Sequence, residues 1–160
     1  MEGNMSNPGS QMPNESNSAI SMIVGTTALV LVLPAVIIAL MELMEQIELV
    51  DSGYDDFEWI IYSMVFSLTI ISILLISGLY LAGLINSGNT KMGAGIYLIA
   101  LSGLNLLLRF SNLNDQLEMN LEWGYWGNLS WFEFMQWPQT HEQLELAFLG
   151  ILIGALIMKK

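Results

Sequence analysis

Four long apolar runs divide the chain, and the polar stretches between them carry nearly all of its charge. The first run, Ala19–Met41, holds no charged residue and is long enough to cross a hydrocarbon layer ~30 Å thick. Trp59–Ile85 exceeds that need and is expected to tilt or project. Met92–Leu108 is bounded by Lys91 and Arg109. Leu146–Met158 is short; it crosses when its helix begins near Gln143 and when Lys159 and Lys160 reach out to the far interface. The pattern therefore predicts an all-α integral membrane protein with four transmembrane helices in an antiparallel bundle. The spans fall at about residues 19–41, 59–85, 92–108 and 143–158, within one membrane domain over 19–160. Residues 1–18 read as a disordered polar tail, and 42–58 and 109–145 as acidic outer loops.

Local signals refine that outline. Pro34 falls inside the first span, where it is expected to kink the helix rather than end it. The tail has no basic residue and precedes an apolar run longer than a secretory signal core, so the first span reads as a retained anchor. Leu40, Leu43, Met44, Ile47 and Val50 keep helical spacing. They predict that the first helix continues past the membrane and stops around Asp51-Ser52-Gly53. No internal repeat is visible.

The last outer loop holds four of the five tryptophans, within Trp123–Trp137. On a helix, Trp123, Trp126, Trp131, Phe134 and Trp137 share a broad arc, which suits an amphipathic segment lying in the headgroup layer. Gly124, Gly127 and Asn128 favour two short pieces over one helix, and Phe132 falls off the arc. Recognition of a partner or lipid is the second reading of the cluster.

Charge then sets orientation. Lys91, Lys159 and Lys160 all fall on one side of a four-crossing chain, and basic residues mark the cytoplasmic side. Both termini are thus expected in the cytoplasm, and the protein in the cell membrane. The formal net charge of −11 divides unequally: three lysines and two glutamates lie inside, one arginine and thirteen acids outside. Seven of those acids lie within Glu42–Glu58, yet their spacing does not match a calcium-binding loop, and they read as a solvated acidic face. Four basic residues cannot build a nucleic-acid surface.

Composition narrows the chemistry further. A 54% hydrophobic content, 12% charged residues and a mean hydropathy of +0.56 oppose an ordinary soluble domain. There is no cysteine, which excludes disulfides, thiol redox chemistry and thiolate-bound metals. His141 is the single histidine and reads as an exposed loop residue near Glu142 and Glu145. No cofactor or metal site is expected from these residues. Asn128-Leu129-Ser130 is a glycosylation sequon that matters only in a eukaryotic secretory host; those at Asn4 and Asn14 are placed inside.

Within the spans, no charge sits at a helix centre. Asn105 is expected to hydrogen-bond a neighbouring helix. Gly150-x-x-x-Gly154, Gly78-x-x-x-Ala82 and Ala35-x-x-x-Ala39 permit close helix approach. Arg109, at the outer end of the third span, is expected to pair with Glu145 or Glu58 and to fix the packing of the helix ends.

No nucleophile–base set or phosphate loop is present. The sequence thus favours a non-enzymatic structural or accessory subunit of a membrane complex. Its partners would be the bilayer and a second membrane protein or another copy of itself, with no nucleic acid. A small cation channel or transporter with an acidic outer vestibule is the alternative, and a lipid-acting enzyme the third reading.

Overall fold

A computed structural model describes residues 15–53, 57–123 and 138–159. Four helices account for almost all of them: α1 (Glu15–Asp51), α2 (Phe57–Leu81), α3 (Gly88–Trp123) and α4 (Pro138–Met158). Each is long and apolar enough to cross a membrane, and the described residues contain no strand. The chain is compatible with a small multi-pass membrane protein.

The helix boundaries follow local chemistry. α1 runs through Pro34 without ending and stops where Gly53 takes a φ of 75°, with its N–H bonded to the Val50 carbonyl at 3.1 Å. α2 closes the same way at Gly83 (φ 76°). There Gly83 N–H reaches the Tyr80 carbonyl and Leu84 N–H the Leu79 carbonyl, the paired bonds of a Schellman cap. Both glycines avoid the Cβ penalty of left-handed backbone. Ser87 starts α3 by accepting the Thr90 N–H on its Oγ at 3.1 Å. Pro138 opens α4, where its missing N–H costs nothing.

Several boundaries depart from the sequence expectation. α1 begins at Glu15, inside the stretch read as a tail, and α2 ends at Leu81 rather than Ile85. α4 begins at Pro138 rather than near Gln143, and the largest departure is in α3. α3 does not stop at Leu108 but continues to Trp123, through a stretch expected as outer loop. Residues 109–123 contain neither Gly nor Pro, and Phe110, Leu113, Leu117 and Leu121 recur at three- and four-residue spacing. The apolar run ends at the first charge, but the backbone hydrogen-bonding pattern has no reason to end there.

Packing is arranged around small residues. The less exposed positions of α1 include Ser21, Gly25, Ala28, Val32, Ala35, Ala39, Leu43, Gln46 and Val50, which recur every three or four residues. Large side chains such as Ile23, Val30, Leu33, Ile37 and Met41 face outward. Small residues at the contact and large ones outside is the pattern of a helix packed in lipid, where close backbone approach replaces the hydrophobic drive. Gly25 meets Gly78 and Ala82 near the end of α2, whereas Glu42 meets Ser67 nearer its start. In the same way Gly154 meets Gly95 early in α3, and Gly150 sits over Ser102 further along. A side chain at Gly25 would place Cβ 2.8 Å from the Gly78 carbonyl oxygen, and one at Gly154 would lie 2.7 Å from that of Gly95.

Among the described helices, α1 packs against α2 alone, α3 and α4 pack against each other, and α2 joins the two pairs. The compact apolar core gathers Ile73, Ile76, Ile85, Leu98 and Ile157, near the α2–α3 turn. Hydroxyls within the spans are mostly absorbed by the backbone: Thr26, Thr27, Thr69 and Ser77 each donate to the carbonyl four residues earlier. Ser21 Oγ crosses instead to the Leu81 carbonyl of α2 at 3.0 Å.

Candidate functional site

The other end of the helix assembly holds a half-open cavity of about 460 Å³ with a mixed polar and apolar lining. All four helices contribute to its wall, each from residues that share one face. α1 supplies Glu42, Glu45 and Gln46; α2 supplies Trp59, Tyr62, Ser63 and Phe66 from successive turns. Asn105 and Arg109, four residues apart, come from α3, and Glu142 and Gln143 from the first turns of α4. The cavity lies where the uncharged run of α1 ends and where the apolar stretches of α2 and α4 begin. That is the level at which a membrane helix passes from hydrocarbon into the headgroup layer.

Geometry fixes some of these groups and leaves others open. The Trp59 and Tyr62 rings meet edge to face, with centroids 5.9 Å apart and planes at 71°. Ser67 Oγ donates to Glu42 Oε2 at 3.2 Å, tying α2 to α1. Arg109 Nη1 donates to Asn112 Oδ1 at 3.0 Å. Tyr62 stands in the electrostatic field of Glu58, Asp115 and Arg109. Asn105 is only 5% exposed, and its Nδ2 has no hydrogen-bond partner among the described residues. Gln46 Oε1, on the α1 wall, is likewise buried and unmatched. Three carboxylates and one guanidinium line the cavity, whereas the unmatched Asn105 and Gln46 atoms are buried in the packing behind its surface. A buried polar atom without a partner costs about 1–3 kcal/mol, so such groups point to something that satisfies them.

Polar groups continue below the cavity. Ser102, one turn before Asn105 on α3, is fully buried with its Oγ unmatched among the described residues. Further down, Ser72 Oγ and Tyr97 Oη lie 3.1 Å apart and join α2 to α3. Among the described residues, no group of three His, Asp or Glu side chains is placed to hold a metal ion.

The residues singled out from the sequence are distributed as follows. Gly150 and Gly154 lie on the α3–α4 contact, and Asn105 and Arg109 both line the cavity. Glu145 Oε1 lies 2.9 Å from His141 Nε2 one turn earlier, in a pair exposed enough to be worth little. Glu58 lies one turn before Tyr62 at the start of α2. Trp123 is the last residue of α3, whereas Trp126, Trp131, Phe134 and Trp137 lie outside the described residues, as does the aromatic segment they were expected to form.

Sequence reasoning missed the cavity itself. Two signals were present: the aromatics Trp59, Tyr62 and Phe66 at three- and four-residue spacing, and Asn105 one turn before Arg109. Each is ordinary alone; only their convergence on Gln46 and three glutamates makes a site. No protein-family model, curated protein or solved structure matches the chain.

Proposed function

We propose that the chain is a cell-membrane protein of four crossings, folded as an antiparallel bundle with both termini in the cytoplasm, and that it serves as a non-enzymatic accessory subunit of a membrane complex. One observation carries the accessory role. Met44 and Ile47 are 64% and 49% exposed on α1, although they lie beyond Glu42, where the uncharged run has ended. Large apolar side chains within a span are covered by lipid. Side chains carried past the span on a projecting helix, among Glu45 and Glu48, call for a protein surface. They continue the outward face of Leu33, Ile37 and Met41, so one partner helix would cover the whole stripe. Arg109 pairing with Glu145 or Glu58, fixing the outer helix ends, belongs to the same proposal.

A second reading, cation conduction, is favoured by the buried, unmatched polar atoms of Asn105 at the cavity and of Ser102 one turn below it. One experiment separates the two. A photo-crosslinking residue at Ile37 or Ile47 is expected to give a single discrete protein adduct in native membranes, and one at Phe148 on α4 is not. Absence of an adduct, together with cation flux through vesicles holding the purified chain alone, would move the assignment to conduction.

A further inference from the structure

We propose that the helix covering α1 belongs to a different membrane protein, not to a second copy of this chain, and carries lysine or arginine just past its own apolar run. The inference rests on the accessory role proposed above and names the chemistry of the partner. At 100° per residue, Val30, Leu33, Ile37, Met44, Glu48 and Asp51 fall within about 60° of one another on α1. All six are exposed. The stripe is therefore apolar through the span and ends in two carboxylates. Asp51 lies ~15 Å along the axis beyond Met41, where the uncharged run stops, whereas a headgroup layer is only about 5–7 Å deep. Lipid covers the first part of the stripe and does not reach its end.

Whatever meets that end faces concentrated negative charge. Glu48 and Asp51 sit in the last turn of α1, which holds no basic residue, and they add to the negative end of the helix dipole. Neither has an ion-pair partner among the described residues. A second copy in the same membrane shares the orientation of the first, so a two-fold contact along the stripe would set these carboxylates against their own counterparts. No other face of the chain supplies the missing cation. Lys91 lies at the opposite end of the assembly, its Nζ 5.7 Å from the centre of the Tyr80 ring. Lys159 follows Met158, which packs on Gly95 at that same end, and Lys160 is next in sequence. Arg109 lines the cavity and donates to Asn112, away from the stripe. His141 is engaged by Glu145. The complementary charge therefore comes from another protein, on a helix that projects as far as α1 does.

The test places a photo-crosslinking residue at Met44 of the full-length chain in native membranes and identifies the crosslinked peptide by mass spectrometry. The expected adduct is a peptide of another membrane protein, with Lys or Arg within about two helical turns of the end of its apolar run. Glu48→Lys combined with Asp51→Lys should lower its yield about tenfold, because attraction becomes repulsion at two positions. Asp115→Lys combined with Glu118→Lys makes the same charge change on α3 and should leave the yield unchanged. An adduct with a second copy, a partner peptide without a basic residue, or equal loss in the two reversals would overturn the proposal. A charge-insensitive adduct with another protein sinks this inference and leaves the accessory role standing. Lipid adducts alone at both Met44 and Ile37 sink both.

Discussion

At the scale of single residues, the glycines divide into those under another backbone and those in open space. Gly154 lies beneath the Gly95 carbonyl, whereas a side chain at Gly93 or Gly103 would meet nothing within 4 Å. Gly154→Leu should therefore cost about 1–3 kcal/mol, because the nearest obstructing atom, the Gly95 carbonyl oxygen, belongs to the helix backbone and cannot rotate away. Gly103→Ala should be neutral or slightly stabilising. Thermal unfolding in detergent checks both, and an equal loss at the two positions would contradict the packing described. Gly150, Gly154, Gly78 and Ala82 were legible because each has a small partner one turn away in its own helix. Gly95 was not: residues four away on either side are Lys91 and Ile99, and its partners lie across the interface on α4.

At the scale of helices, apolar runs located the four elements but not their lengths or faces. α1 is apolar on every side through its span, so hydrophobicity alone gives no packing face; the contact is chosen by where Gly25, Ala28, Ala35 and Ala39 permit approach. The extension of α3 from Arg109 to Trp123 was hidden because span and helix obey different limits, hydrocarbon thickness for one and backbone breakers for the other. Leu113, 1% exposed, is buried within that extension. Leu113→Ala should cost about 2–5 kcal/mol, as for a buried core leucine, and Leu107→Ala, at a site 69% exposed, should cost far less. Chemical denaturation of the two variants distinguishes a packed extension from a loop, for which both substitutions would be mild.

At the scale of the whole molecule, apolar packing and polar chemistry occupy opposite ends. Ile73, Ile76, Leu98 and Ile157 close the end near the α2–α3 turn, and the glutamates, Arg109 and Asn105 line the cavity at the other. Part of this polarity was visible in the sequence, where thirteen of fifteen acids were assigned to one side. The cavity was not, because its residues come from four helices and converge only when α2 bridges the two pairs. Every functional proposal above requires that the two ends lie on opposite sides of a membrane. The chain has no native cysteine, so single substitutions report position without background. The most direct measurement is labelling of Asp51→Cys, Asp115→Cys and Asn86→Cys in intact cells by a membrane-impermeant thiol reagent. Labelling at positions 51 and 115 from outside, with position 86 reached only after permeabilisation, is the predicted result. Labelling of position 86 from the same side as 51 would contradict the four-crossing arrangement.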